Sequence, residues 1–285
     1  MPEPEPEPNL PPPEPPGDSA PLHGASQPAA PPAPVAPARR AKTAWQVTEH
    51  FQFALLALTI ALFITTFIVQ AFRIPSGSME NTLLVGDYLL VDKTRFGSHN
   101  KWNKLLPYSQ IRREEIIVFR YPADPEQHFV KRVIGLPGDH IKLWRGRVYV
   151  NGSVLQEPYT VFKEHDPDEF RDNFPRGNWF DENVSVAWSS QMRTLVHDGE
   201  LTVPRDRYFV LGDNRDQSLD SRYWGLVPRE NIIGRPMLIY FSLRQPDEDD
   251  PVASTLPDDK LFYLRTRIVH FLGDVRWHRI LRLAP

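Results

Sequence analysis

The chain has 285 residues, a formal net charge of -3 and no cysteine. That length allows one medium domain or two small ones, at roughly 100–200 residues per domain. The near-neutral charge argues against a nucleic-acid partner, because such proteins carry a concentrated positive field, and the missing cysteines exclude disulfides, thiolate zinc sites and cysteine nucleophiles.

The chain begins with a proline-rich tail. Residues 1–38 hold half of the 30 prolines and few apolar side chains, so burial cannot offset chain entropy there. We therefore predict an extended, disordered tail over residues 1–50, with a basic end next to the following segment. Its polyproline II character suits a solvated spacer better than a specific ligand for a proline-recognising partner.

Residues 51–72 are predicted to form a transmembrane helix. The run from Phe51 to Phe72 carries no charged residue, and about 22 residues at ~1.5 Å each cover a hydrocarbon core of ~30 Å. A buried core helix or a cleaved signal sequence would be alternatives, and residues 69–71 resemble a small-residue cleavage site. The run is longer than the ~7–15 apolar residues of a signal sequence and starts far from Met1, which favours a retained anchor.

A basic cluster precedes this anchor. Arg39, Arg40 and Lys42 stand before it, whereas Arg73 alone follows closely on the far side. The positive-inside rule then predicts a cytoplasmic tail, with everything after Arg73 outside the cytoplasm.

Beyond the anchor, short strand-like runs separated by Gly, Pro, Asn and Asp predict a mainly β fold, an antiparallel β-sheet domain over residues 73–245. Asn151-Gly152 between two such runs predicts a type I′ hairpin, since both turn positions need positive φ. The runs are Tyr88–Val91, Ile116–Tyr121, Phe129–Leu136, Ile141–Leu143, Val148–Val150, Val154–Leu155, Tyr208–Leu211 and Ile232–Leu243.

Two segments lack this pattern. Residues 156–203 are rich in charge, Trp and Asn and predict an irregular insertion or a smaller β-rich subdomain. Residues 246–285 are expected to be a linker followed by a basic amphipathic segment. Within it, Leu261–Leu283 mixes apolar residues with five arginines, which is too charged to span a membrane. A helix on the membrane surface and a helix packed on the domain both fit this composition.

Shortly after the anchor, Pro75-Ser76-Gly77-Ser78-Met79 places two serines around a glycine. Taken alone, these residue types are typical of an ordinary turn. Their position adds information, because a fully extended chain puts Ser78 within ~20 Å of the outer end of the anchor.

Lys131 stands in a predicted strand, where alternation puts it on the same face as Phe129 and Val133. A lysine among apolar neighbours loses hydration, its pKa falls, and the neutral amine can act as a general base. A lysine that extends its charged end into water from a strand edge is the alternative.

The segment from Leu211 to Gly225 alternates acids, arginines and hydroxyls after a strand. Metal ligation is one interpretation, but arginines interrupt the carboxylates and the spacing is not that of a calcium loop. The pattern favours a scaffold of ion pairs and hydrogen bonds. The nine histidines form neither an HExxH motif nor a recognisable Ser-His-Asp arrangement.

These three stretches, in this order after an amino-terminal anchor, resemble the boxes of bacterial type I signal peptidases over roughly residues 50–243. The resemblance implies Ser78 as nucleophile, Ser76 as an oxyanion-hole donor and Lys131 as general base. It further implies that Ser218 orients Lys131, and that charged residues brace the site, namely Arg132, Asp213, Asp220 and Arg222.

The chain departs from the family pattern at two places. Glu114-Glu115 stands where Gly-Asp is usual before the strand box Glu115–Phe119, and Glu80-Asn81 stands where a proline is common before Thr82-Leu83. Both changes concern local turns and leave the serine and the lysine in place.

The implied activity is that of a membrane-bound serine endopeptidase that cleaves signal peptides from exported preproteins after small residues. Its partners would be signal peptides and the lipid bilayer of the plasma membrane, and it requires no metal or organic cofactor. Two alternatives share the dyad or the fold. A Ser–Lys self-cleaving repressor protease would carry a DNA-binding domain in place of the anchor, and an inactive membrane-tethered binding protein would have lost Ser78 or Lys131.

Overall fold

The computed structural model describes residues 39–94, 96, 109–163, 168–175, 182–244 and 273–285. Residues 1–38 of the predicted disordered tail and residues 245–272 lie outside this part of the chain, whereas the last residues of that predicted tail, 39–50, are helical. Two compact units are Met1–Gln52, of which only helical residues 39–52 are described, and Phe53–Pro285. Both β-sheets and the site described below belong to the second unit.

The anchor segment is helical but ends earlier than predicted. Helix α1 spans Arg39–Phe63 and continues as a π-helix over Ile64–Ile68. Thr48–Ile68 is a 21-residue stretch of mean hydropathy 2.2, long and apolar enough to cross a membrane. The predicted helix end at Phe72 is wrong, because Val69–Arg73 forms strand β1, whose backbone pairs with strand β2, Asp87–Asp92.

The larger sheet has eight strands, and all its pairings are antiparallel. Besides β1 and β2, its strands are β3 (Ile116–Tyr121), β4 (Asp124–Gly135), β10 (Arg207–Leu211), β11 (Val227–Pro228), β12 (Ile232–Ser242) and β13 (Arg282–Leu283). Their order is β1-β2-β12-β3-β4-β10-β11, with β13 added beside β12.

The smaller sheet has five strands, β5 (His140–Trp144), β6 (Arg147–Val150), β7 (Ser153–Val154), β8 (Val196–His197) and β9 (Glu200–Thr202). Their order is β7-β6-β5-β9-β8. Asn151 and Gly152 both adopt positive φ, 53° and 79°, at the predicted hairpin between β6 and β7. The mainly β, antiparallel fold class is thereby confirmed.

The insertion contains a helix that its composition did not predict. Helix α3, Val186–Leu195, begins at Ser185, whose hydroxyl caps the Trp188 N–H. Trp188 and Met192, four residues apart on one face, are buried in the cluster that covers the smaller sheet. Two short helices are α2 (Glu169–Asp172) and α4 (Ser221–Trp224).

In the described part of the C-terminal segment, Gly273 and Asp274 are helical, but the expected amphipathic helix does not continue beyond them. Residues 273–285 include a 3-10 turn at Trp277–Arg279 and the edge strand β13. Arg279 points inward, because its guanidinium forms a buried ion pair with Asp87 and also donates to the Thr82 carbonyl, 3.1 Å away. The residues 261–272 of the predicted helix lie outside the described residues.

Candidate active site

Ser78 lies in a tight 3-10 turn, Gly77–Met79, which three residues separate from the end of β1. The Asp87 carbonyl accepts from the Ile74 N–H at 2.9 Å, which fixes the chain where it leaves the strand. Beyond the turn, the Asn214 N–H donates to the Ser78 carbonyl (3.1 Å) and the Asn214 side-chain amide to the Gly77 carbonyl (3.2 Å). The serine is therefore held from both sides and is only 7% exposed.

Lys131 reaches this serine from β4. Its Nζ lies 2.6 Å from Ser78 Oγ and 3.1 Å from Ser218 Oγ, and the residue is 4% exposed. The pKa of the amine is lowered to about 8, with burial as the largest cause; Asp220 and Asp213 act to raise it, and Arg222 acts to lower it. A substantial fraction of the amine is thus neutral near pH 8, as a general base requires.

The hydrogen bonds of the Ser218 hydroxyl determine which of the neighbouring groups donates a proton and which accepts one. Its hydroxyl donates to Asp220 Oδ2 at 2.7 Å, because a carboxylate can only accept. Ser218 Oγ therefore accepts from Lys131 Nζ, and a neutral amine keeps its lone pair for the Ser78 hydroxyl. This geometry is that of an amine poised to remove the Ser78 proton.

Asp220 is buried and fully engaged. Besides Ser218, its carboxylate accepts from the Gly212 N–H at 3.1 Å and from Arg222 Nε and Nη2, both at 2.8 Å. Burial alone would raise the pKa of Asp220, but the Arg222 charge and hydrogen bonds hold it below its usual value. Asp220 thus stays ionised and anchors Ser218.

A second buried ion pair joins Arg132 and Asp213. Arg132 Nε and Nη2 donate to the two oxygens of Asp213 at 2.7 and 2.5 Å, and Thr82 Oγ1 donates to Asp213 Oδ2 at 2.5 Å. The Arg132 guanidinium also stacks 3.9 Å above the Tyr159 ring. The acids of the 211–225 segment thus include two buried Asp–Arg pairs, and among the described residues no group of His, Asp or Glu side chains is arranged to hold a metal ion.

Gly212 is required by close approach. A β-carbon at this position would lie 2.3 Å from Ser218 Oγ and 2.5 Å from the Ser78 carbonyl oxygen. Only a residue without a side chain lets the two serines meet on either side of this backbone.

A groove of about 480 Å³ leads to Ser78 and Lys131. It lies between the β1 segment and β4, where the rings of Phe72 and His128 stand 5.3 Å apart, and solvent-exposed Ser76 lines it. The lining is largely apolar and comprises Phe72, Arg73, Ile74, Pro75, Ser76, Ser78, Met79, Gln127, His128, Phe129, Val130, Lys131, Gln217 and Leu219.

The two departures from the family pattern are accommodated locally. Glu114 adopts φ 68°, a conformation that glycine reaches without strain, and its N–H donates to the Val133 carbonyl. Glu80 follows the serine turn and forms an ion pair with Lys163.

The structure thus brings together all the residues proposed from the sequence around Ser78, with Ser76 in the adjoining groove. Three further contributors had no predicted role: Asn214, Thr82 and Gly212. Asn214 and Gly212 belong to the segment already recognised, but their partner Ser78 is more than 130 residues away in sequence, so spacing gave no signal of the contact.

Residues 47–241 match a protein family described as signal peptidase, peptidase S26. Signal peptidase I of Pseudomonas aeruginosa is 34% identical over 232 residues, which cover 75% of this chain and 76% of that protein. Signal peptidase I of Aquifex aeolicus is 33% identical over 244 residues, which cover 73% of this chain and 90% of that protein. A crystal structure of a signal peptidase I from Enterococcus faecalis is 32% identical, covers 45% of this chain and 97% of that one, and has a TM-score of 0.33.

Proposed function

The chain belongs to the signal peptidase family, peptidase S26, and we propose that Ser78 and Lys131 are the nucleophile and general base with which it cleaves signal peptides. Signal-peptide cleavage by a serine peptidase is the activity of the family. The observation that supports this assignment of roles is the 2.6 Å contact between Ser78 Oγ and a buried Lys131 amine whose pKa is lowered to about 8.

In the first step, the Lys131 amine takes the Ser78 proton while Oγ attacks the scissile carbonyl carbon. The Ser78 N–H and the Ser76 hydroxyl then donate to the oxyanion, and one such donor commonly contributes ~3–4 kcal/mol in the transition state. The Lys131 ammonium returns its proton to the leaving amine, which departs as the new amino terminus. Lys131 next activates a water molecule that hydrolyses the ester on Ser78.

The groove suits an extended peptide segment. Strand β4 pairs with β10 from Arg132 onward. In the preceding residues 127–131, the strand edge that faces away from β3 borders the groove. Strand β1 borders it from the other side, and a substrate strand would add hydrogen bonds to both edges. Side chains such as Ile74, Met79 and Val130 leave shallow apolar space that fits small residues before the scissile bond.

We further propose that α1 anchors the enzyme in the plasma membrane, with the tail in the cytoplasm and the catalytic unit outside. Support comes from the apolar Thr48–Ile68 segment and the arginines at its amino-terminal side. Lys93 Nζ donates to the Thr66 carbonyl at 2.9 Å, which supplies a cation at the opposite end of the helix, where lysines reach the membrane interface. Protease added to intact spheroplasts should digest the catalytic unit and spare the tail, and the reverse pattern would refute this orientation.

The assignment is tested with full-length protein in detergent and a preprotein substrate. Ser78→Ala and Lys131→Ala should each abolish cleavage while the thermal unfolding midpoint stays within a few degrees of the wild type. Ser153→Ala, an exposed serine in β7, is the matched control and should retain full activity. Substantial turnover by either variant of the pair would remove that residue from the mechanism.

A further inference from the structure

The Glu80–Lys163 ion pair stands directly beside the nucleophile turn. The Glu80 N–H donates to the Gly77 carbonyl at 3.0 Å, so its backbone belongs to the turn that carries Ser78. Its side chain folds back over the same turn, because a β-carbon on Gly77 would lie 3.3 Å from a Glu80 carboxylate oxygen. Standard bond lengths then put this carboxylate at most about 7 Å from the Ser78 nitrogen.

A carboxylate in this position works against catalysis. The Ser78 N–H is the proposed donor to the oxyanion, and negative charge develops on that oxygen in the transition state. An unpaired charge at such a distance, in a partly exposed site, changes a rate by roughly three- to thirtyfold. A bare Glu80 would therefore slow acylation unless a cation neutralised it.

Lys163 provides that cation, and the backbone holds it in place. Its loop bridges to the 213–215 segment, since the Val161 N–H donates to the Asp213 carbonyl at 2.8 Å and the Arg215 N–H to the Val161 carbonyl at 3.0 Å. The same segment binds the Ser78 carbonyl through Asn214. The serine, Glu80 and Lys163 are thus positioned by one connected set of hydrogen bonds.

Building on the proposed function, we propose that Lys163 is a positioning residue that neutralises Glu80 and so protects the oxyanion hole from its negative charge. Arg276 also senses the Glu80 charge, but Lys163 forms the direct ion pair. The two side chains are 43% and 23% exposed, so the effect is sensitive to salt.

The test compares kcat and KM of Lys163→Met, Glu80→Gln and the double variant, in full-length enzyme in detergent with an Ala-x-Ala peptide substrate. We expect Lys163→Met to lower kcat about tenfold with KM nearly unchanged, because the charge acts on the transition state. Glu80→Gln should be at least as active as the wild type, and the double variant should recover most of the loss. Lys163→Arg should retain activity, and added salt should shrink the Lys163→Met deficit.

The matched control is the Lys142–Glu200 pair of the smaller sheet, whose side chains are 40% and 26% exposed and whose charged atoms lie 3.8 Å apart. Lys142→Met should leave kcat unchanged. A pair that merely fastened two loops would give equal losses in both single variants and no recovery in the double variant, which would overturn the proposal. An unchanged kcat in Lys163→Met would overturn it as well.

Ser78→Ala is assayed alongside to separate the two hypotheses. If it is inactive while Lys163→Met matches the wild type, only the role of Lys163 fails. If cleavage persists without Ser78, the proposed function of the dyad fails first.

Discussion

The pH dependence of cleavage is the most direct test of Lys131 as the base. Burial lowers the pKa of its amine from 10.5 to about 8. With that value, the neutral fraction is roughly one tenth at pH 7 and nine tenths at pH 9, so kcat/KM should rise about tenfold and then level off. A solvated lysine would instead give about a hundredfold rise over the same range, without a plateau below pH 10.

The assay is a pH profile of kcat/KM from pH 6 to 10.5 on a peptide substrate without titrating groups in that range. Lys131→Met should be inactive throughout, and a plateau should appear near pH 9 in the wild type. A rate that still climbs in proportion to hydroxide above pH 10 would refute the buried-amine argument. Another base would then have to be sought.

The same shift predicts how stability changes with pH. The unfolded chain binds a proton at Lys131 up to about pH 10.5, whereas the folded protein releases it near pH 8. The lowered pKa of Lys131 therefore destabilises the folded state by about 3 kcal/mol below pH 8, and this penalty disappears above pH 10.5. The stability of Lys131→Met relative to the wild type, measured as the difference in free energy of unfolding, should therefore be greatest below pH 8 and should decline between pH 8 and pH 10.5. A difference independent of pH would contradict a lowered pKa.

Three further predictions concern the residues around the dyad. Ser218→Ala should lower kcat by roughly 10–100-fold with little change in KM, because the amine loses the acceptor that orients it; a change confined to KM would contradict this role. Gly212→Ala should reduce kcat by at least roughly a hundredfold, since its β-carbon must displace Ser218 or Ser78; near-normal kinetics would refute the argument from close approach. Arg132→Met should destabilise the fold by roughly 3–5 kcal/mol in chemical denaturation by leaving Asp213 buried and unpaired, and a loss below about 1 kcal/mol would contradict it.

The sequence predicted elements best where periodicity and burial agree. The predicted strand Ile116–Tyr121 has the same ends as the observed strand β3. This strand is mostly apolar and lies in the sheet between two other strands, β12 and β4. Strand alternation also placed Lys131 on a buried face. Both predictions rest on local patterns that tertiary structure reinforces.

The failures occur where long-range pairing decides. Val69–Arg73 continues the apolar run of the anchor, yet its backbone groups pair with β2, a partner that local hydropathy does not reveal. Helix α3 has only two buried apolar residues in a polar segment, so its signal was weak until the smaller sheet supplied a surface to cover. Strand β13 likewise exists because β12 offers an edge.

The candidate site shows the same division. Residue types and order led to the prediction of the serine, the lysine and the acid-rich segment as site residues, but the pairing of specific charges could not follow from spacing. Arg132 and Asp213 are 81 residues apart, and only the tertiary fold brings the guanidinium and the carboxylate together. Glu80 and Lys163 are likewise separated by 83 residues.

The pairing of these charges is consistent with the proposed role of Lys131 as a base. A free carboxylate next to a buried amine would hold the amine protonated and raise its pKa. Here Asp220 is matched by Arg222 and Asp213 by Arg132, so each acid near Lys131 already has its own cation. The groups in direct contact with the amine are the neutral hydroxyls of Ser78 and Ser218, and Ser218 connects the amine to Asp220 without placing the carboxylate charge against it. Burial therefore outweighs attraction to the acids, and the pKa of Lys131 stays below its ordinary value in a region that contains two carboxylates.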